Sequence, residues 1–221
     1  MGAWYGSKAA SGLCQALIAA MPPHATYIET HLGRGAIMQR KPSAQRNIGI
    51  DRSARAIASF RCAHEVELVH GCCHRFLAGF PFTGNELVYA DPPYLHPVPK
   101  PQRRYRYEYT PADHQALLAL LKALPCAVML SGYPSALYER SLADWHSLSL
   151  QVMHQAGVVT EKAWCNFVPG RRPHWHLHAG RDIVQRQLIQ RKAARWSRRY
   201  AAMEPGERMA VLAALLAVEA D

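Results

Sequence analysis

An α/β fold with a largely parallel sheet is what this 221-residue sequence predicts, and three observations carry the prediction. Short apolar runs alternate with helix-like segments along most of the chain. Two late runs, 146–153 and 162–168, have only a loop between them, which marks an antiparallel hairpin at one edge of the sheet. Past residue 180 the strand signals stop and a helical period takes over.

The strands follow in order. TYIET (26–30), NIGID (47–51), VELVH (66–70), ELVYA (86–90) and CAVMLS (126–131) are short and apolar, as strands covered on both faces should be. HSLSLQVM (146–153) and KAWCNFV (162–168) form the hairpin. Helices fill the gaps at about 7–21, 34–40, 52–63, 111–124 and 134–143. The start of 111–124 is well marked: Thr110 is a good N-cap, Pro111 suits the first turn, and Asp113 stands at the capping-box position. Beyond 180, Ile189, Ala193, Trp196, Tyr200 and Met203 fall on one helical face. Glu204-Pro205-Gly206-Glu207 breaks that helix, and 206–219 repeats an apolar pattern. A basic helical hairpin over 179–221 is therefore expected beside a sheet domain over 1–178.

Composition is that of an ordinary globular chain, 49% hydrophobic and 19% charged. Six cysteines (14, 62, 72, 73, 126 and 165) follow no spaced framework, so they read as reduced thiols of a cytoplasmic protein. The N-terminal MGAWYGSKAASG lacks the parts of a signal peptide. The longest clean apolar run, Met209 to Val218, is too short to span a bilayer. The formal charge of +10 is unevenly placed. Residues 171–200 hold nine Lys/Arg and one Asp, and Lys100, Arg103, Arg104 and Arg106 crowd a second stretch. The rest of the chain is close to neutral. Two basic patches on a neutral body point to a polyanionic partner.

Chemistry concentrates at two strand ends. In YIETHLGRGAI (27–37) a strand runs into Gly33-x-Gly35 and then a helix, which lets backbone approach a ligand. The next strand ends in Asp51, an acid placed to take both hydroxyls of a ribose. Met38 stands where the dinucleotide fingerprint wants a third glycine, so the pattern favours a nucleoside cofactor over a dinucleotide. The fourth strand ends in Asp91-Pro92-Pro93-Tyr94. These four residues together should arise by chance in about one chain in a thousand of this length. First and fourth strands are neighbours across the switch of a doubly wound sheet, so both features should face one crevice.

On these residues the chain resembles the Dam-like adenine-specific DNA methyltransferases, over residues 4 to about 168 and in the family's motif order. WYGSK (4–8) is similar to its N-terminal element, YIETHLGRGAI to its methionine-binding loop, NIGID to its ribose-binding strand end and DPPY to its catalytic tetrapeptide. VMLSGYPSALYE (128–139) and EKAWCNF (161–167) resemble its later strands. The resemblance implies a Rossmann-like methyltransferase fold with a seven-stranded sheet, and S-adenosylmethionine as cofactor, released as S-adenosylhomocysteine. It implies Asp91, Pro92 and Tyr94 as catalytic residues. Trp4, Tyr5, Lys8, Glu29, His31, Gly33, Gly35, Asp51, Arg52, Cys72 and Asp91 are implied at the cofactor, and no metal. DNA, with the target base flipped, is implied as substrate; Pro93 and, from the two basic patches, Lys100, Arg103, Arg104, Tyr105, Arg106, Arg171, Arg172, Arg191 and Arg195 are the candidate DNA contacts.

The chain departs from the family pattern in places. Thr30-His31 follows Glu29 where the family has Pro-Phe, Ser7 replaces a glycine, and Cys72 stands where an acid usually lies near the adenine ring. Residues 71–85 are too few for the family's target-recognition region. Sequence reading would then fall to the 95–109 loop, where KPQRRYRYEY interleaves arginines with tyrosines for phosphate contact and base stacking, and to the basic hairpin. Phosphate contacts carry no sequence information, so a short or relaxed target is expected. His174, His176 and His178 read as a basic loop rather than a zinc site, and Cys72-Cys73 as buried thiols. Two other classes stay open: a methyltransferase of RNA or of another base amino group, and a non-catalytic DNA-binding protein with a vestigial site. The expected state is a monomer, or a homodimer joined through the C-terminal helices, away from any membrane. A restriction-modification or phage setting would suit such an enzyme.

Overall fold

The computed structural model describes residues 13–95, 107–154, 157–169 and 182–218. Seven strands form one sheet: β1 (Thr26–Glu29), β2 (Arg46–Asp51), β3 (Glu67–His70), β4 (Glu86–Ala90), β5 (Ala127–Gly132), β6 (His146–His154) and β7 (Gly157–Cys165), in the order β3-β2-β1-β4-β5-β7-β6. The first five run parallel, and β7 is antiparallel to both β5 and β6. This is the predicted doubly wound α/β architecture with its hairpin edge. The hairpin is tighter than expected. β7 starts at Gly157, five residues early, because pairing with β6 continues to the His154–Gly157 pair.

Strand alternation divides the core between the two faces of the sheet. Tyr27, Leu87, Tyr89 and Met129 pack on one side with α1 (Leu13–Ala20) and α2 (Ala36–Arg40), through Leu17, Ile18, Ile37 and Met38. Phe60, which closes α3 (Ala54–Ser59), joins the same cluster. Ile28, Ile48, Ile50, Val88, Ala90, Val128 and Leu130 face the other way. They meet α4 (Cys73–Gly79), α5 (Pro111–Ala123) and α6 (Ala136–Ser141) through Leu77, Leu117, Leu121 and Tyr138. β4 is buried at every position, as the centre of such a sheet must be. Thr110 and Asp113 form the predicted capping box at α5.

The helix α4 was not anticipated. Cys73 and Leu77, four apart and both buried, anchor it to the core. The expected helices at 34–40, 52–63 and 134–143 are each shorter by some residues, the trimmed ends serving as turns.

Packing divides the chain into two compact units, residues 1–175 and 176–221. The second contains α7 (Ile183–Ala201) and α8 (Pro205–Val218), opened by Asp182 as N-cap and by Pro205 respectively. Ile189, Ala193, Tyr200 and Met203 are half-buried, in keeping with the expected face. Trp196 shares that face by position but is 58% exposed, and it carries the Arg199 guanidinium over its ring at 5.7 Å. The indole is amphipathic, and an arginine one turn on can satisfy it at the surface. Among the described residues, no helix is long and apolar enough to cross a membrane, and all six cysteines are free.

Candidate functional site

The ends of β1, β2, β4 and β5 lie side by side, because β1 pairs in parallel with β2 and with β4, and β4 with β5. Every functional candidate on these strands therefore projects from one edge of the sheet.

Two glycines shape the loop after β1. Gly33 and Gly35 have φ of +51° and +62°, which side chains with a Cβ resist. Their surroundings differ. A Cβ on Gly35 would clash with Phe60 Cε2, so packing as well as φ demands glycine there. Among the described residues, a Cβ on Gly33 would meet only the His31 carbonyl oxygen, at 3.9 Å, so these residues leave the loop open at Gly33. The Asp51 carboxylate holds this loop from β2. Oδ2 accepts the Gly33 N–H at 2.8 Å, and Oδ1 accepts the Ser53 N–H at 2.7 Å. Each oxygen keeps a further lone pair for a ligand hydroxyl.

Glu29, at the end of β1, is 3% exposed. Its Oε2 accepts the Tyr27 hydroxyl at 3.1 Å and the Met38 N–H at 2.9 Å. Burial pushes its carboxyl up to about 8. The Tyr27 and Met38 hydrogen bonds and nearby Lys41 oppose the rise, and the negative charge of Asp91 adds to it. Asp91 thus acts on Glu29 across the junction of β1 and β4, which ties the two loops into one electrostatic site.

His31 turns into a polar cluster. Its Nδ1 lies 2.8 Å from Thr30 Oγ1 and its Nε2 lies 2.9 Å from the Tyr109 hydroxyl. That hydroxyl also lies 3.2 Å from His74 Nε2 and 3.4 Å from Cys73 Sγ. Burial, followed by His74, His114 and Arg52, pushes His31 down to about 3, and burial brings His114 to about 4. Both rings are neutral at pH 7. Burial raises the Cys73 thiol to about 11, so it is a packing group and not a thiolate. Tyr109 corrects one expectation: this last tyrosine of KPQRRYRYEY is no stacking platform, because its ring sits edge-on to His31, His74 and His114. Cys72, expected buried, is only half-buried and caps α4. Arg52 is exposed, with its guanidinium 5.4 Å from the Tyr107 ring centre.

At the end of β4, Pro92 is buried, while Asp91, Pro93 and Tyr94 are half-buried. Asp91 Oδ1 lies 3.0 Å from Ser131 Oγ on β5. Ser131 Oγ in turn lies 2.8 Å from the hydroxyl of fully buried Tyr89. The Tyr94 ring packs on Tyr133, just beyond β5, with centres 4.2 Å apart and planes tilted by 40°. Ser131, Tyr133 and Tyr89 were not singled out as site residues from the sequence, and Tyr109 was read only as part of a stacking stretch. The first three follow from the β4–β5 register, in which Tyr89 faces Met129 and Ala90 faces Leu130. Asp91 and Ser131 are the next positions along.

The structure thus gathers Glu29, His31, Gly33, Gly35, Asp51, Asp91, Pro92, Pro93 and Tyr94 at one sheet edge, with Cys72 at the start of α4 after β3. Arg191 and Arg195 are exposed on α7 in the second unit. Trp4, Tyr5, Lys8, Lys100, Arg103, Arg104, Tyr105, Arg106, Arg171, Arg172 and the histidines 174, 176 and 178 lie outside the described residues. Among the described residues, no group of three or more His, Cys, Asp or Glu could hold a metal ion.

No protein-family model matches the chain. No curated protein matches it either. Among solved structures it is similar to an rRNA methylase from Streptococcus thermophilus, at 11% identity, 71% of this chain, 95% of that chain and a TM-score of 0.47. It is similar to a dimethyladenosine transferase from Plasmodium falciparum, at 13% identity, 72% and 60% coverage and a TM-score of 0.47. A third is magnesium protoporphyrin IX methyltransferase from Synechocystis PCC 6803 with bound SAM, at 12% identity, 66% and 71% coverage and a TM-score of 0.44.

Proposed function

We propose that the chain is an S-adenosylmethionine-dependent methyltransferase acting on the exocyclic amino group of adenine in DNA. The observation that carries this reading is the placement of Asp91-Pro92 at the end of the central strand, beside the open glycine loop that follows β1. The residues present fit the cofactor. Asp51 offers lone pairs at a ribose-like reach from the loop, Gly33 leaves room for a ligand, and buried Glu29 is an acid that a ligand's ammonium group would draw into its charged form. When bound, S-adenosylmethionine supplies a methyl group on a sulfonium, ready for in-line transfer.

The protein's part is positioning. An aromatic amine is a poor nucleophile because its lone pair is delocalised into the ring. The Asp91 carboxylate and the Pro92 carbonyl accept its two N–H bonds, which favours a tetrahedral nitrogen and frees the lone pair. Proline fixes where that carbonyl points. Tyr94, braced by Tyr133, stacks on the base, which must leave the duplex to reach it. α7 carries Arg191, Lys192, Arg195, Arg198 and Arg199 exposed and no acid, which supports a role in phosphate contact.

The test uses methyl-labelled cofactor with DNA and RNA side by side, followed by nucleoside analysis. Wild type should place label on the adenine amino group of DNA, and Asp91→Ala should bind cofactor yet transfer nothing. Label on RNA alone would overturn the substrate class, and equal transfer by both proteins would overturn the mechanism. Methylome mapping in a host lacking adenine methylation should give a short or relaxed target. A defined motif of five or more bases would refute that part.

A further inference from the structure

Strand alternation puts Tyr89 and Asp91 on the same side of β4, and the parallel register puts Ser131 beside Asp91. With Asp91 ionised, the hydrogen bonds among these three groups run in one direction. An ionised carboxylate only accepts hydrogen bonds, so Ser131 donates its single proton to Asp91 Oδ1 across 3.0 Å. Tyr89 must then be the donor to Ser131 across 2.8 Å. Tyr89 is fully buried and Ser131 is 2% exposed, so water does not compete for either group. The Ala90 carbonyl, at 3.5 Å from Ser131 Oγ, is the weaker acceptor.

We propose that Ser131, held by Tyr89, is the positioning residue of Asp91: the two hydroxyls form a directed chain that sets the carboxylate's plane and keeps it ionised for the incoming amino group. This inference rests on the reading of Asp91 given above. The chain reaches the substrate only through Asp91, so neither hydroxyl is itself catalytic. Hydrogen bonds to a charged acceptor are roughly twice as strong as neutral ones, and they favour the ionised form. Among the described residues, the titratable groups coupled electrostatically to Asp91 include Glu29 at the end of β1 and Tyr138 on α6. Neither lies on β5, so removing the Ser131 hydroxyl leaves them in place.

Three variants separate the hydroxyl from the packing. Ser131→Ala should lower kcat about ten- to hundredfold with KM within about threefold, and should move the acid limb of the pH profile to higher pH. Ser131→Thr, which keeps a hydroxyl, should restore most of kcat and the original limb. Tyr89→Phe should give a smaller loss in the same direction, about threefold. An unchanged kcat in Ser131→Ala, or equal losses in the alanine and threonine variants, overturns the proposal. A readout free of activity accompanies them: the Asp91 carboxyl is titrated by carbon-13 NMR in the protein without substrate. The titration should move upward in Ser131→Ala and stay in Ser131→Thr, and no movement overturns the chain of hydroxyls. A wild type that transfers no methyl group would count against the proposed function, while this titration would still decide the inference.

Discussion

The two halves of the candidate site are made of different material. After β1 and β2 the site is built from backbone: two glycines with left-handed φ, and a carboxylate whose two oxygens are bound to main-chain N–H groups. After β4 and β5 it is built from side chains: Asp91 on Ser131, Ser131 on Tyr89, Tyr94 on Tyr133. A backbone-built half has little tolerance, because a substitution there alters chain path and packing together. A side-chain half can lose its chemistry while the strand beneath it stays as it was. Structural damage and functional damage should therefore separate by half.

The largest effect expected is functional. Asp91→Asn keeps the shape of the side chain and should lower kcat by about 10²- to 10⁴-fold, with an unfolding curve close to that of wild type. A comparable loss of stability would break the contrast between the halves. Gly35→Ala is its counterpart. A Cβ there costs about 1–2 kcal/mol for the left-handed backbone. The clash with Phe60 adds about 1–3 kcal/mol. Urea unfolding should register the sum, and Gly33→Ala should lose less, since only the backbone cost applies in its open surroundings.

Glu29 sharpens the contrast, being a side chain buried inside the backbone-built half. Its carboxyl titrates near 4.5 when unfolded and at about 8 when folded. Between those values the folded protein holds a proton that the unfolded chain has released. The stabilising contribution is complete below pH 4.5 and is lost as pH rises through 8. Relative to Glu29→Gln, wild type should lose about 1.4 kcal/mol between pH 6 and pH 7, measured by urea unfolding of both proteins. His31 acts in the opposite direction at lower pH: its depressed value means stability is lost as pH falls from 6.5 toward 3. A flat difference between wild type and Glu29→Gln would mean that the carboxyl is not held neutral. The smallest effect is expected for Tyr94→Phe. Stacking needs the ring and not the hydroxyl, so kcat should stay within about threefold, whereas Tyr94→Ala should lose considerably more.

Much of this was legible before any coordinates. The strand ends carrying Glu29, Asp51 and Asp91 stand out because buried parallel strands are apolar runs, and a polar residue at the end of such a run is conspicuous. The parallel neighbourhood of β1 and β4 follows from doubly wound topology. Ser131 was not legible as a site residue. Its meaning lies in the β4–β5 register, which depends on packing between segments forty residues apart. Tyr109 misled for a related reason: a tyrosine at the end of an arginine- and tyrosine-rich stretch looks like a stacking platform until three histidine side chains are seen around it. The short helix α4 went unseen because one pair of buried residues four apart is a weak period.

The strand order has a consequence for how the protein is made. As the chain leaves the ribosome, β2 and then β3 can add to one side of β1, while β4 and then β5 must add to the other. The turn-around between those two directions of growth lies at the β1–β4 junction. Until residues 127–132 emerge, β4 is an apolar edge strand open to unwanted pairing, and Asp91 has no Ser131 to hold it. A nascent chain halted before β5 would be at once prone to aggregate and without the Ser131 hydrogen bond to Asp91. One pairing event, β5 onto β4, protects the sheet and completes the carboxylate's setting in the same step.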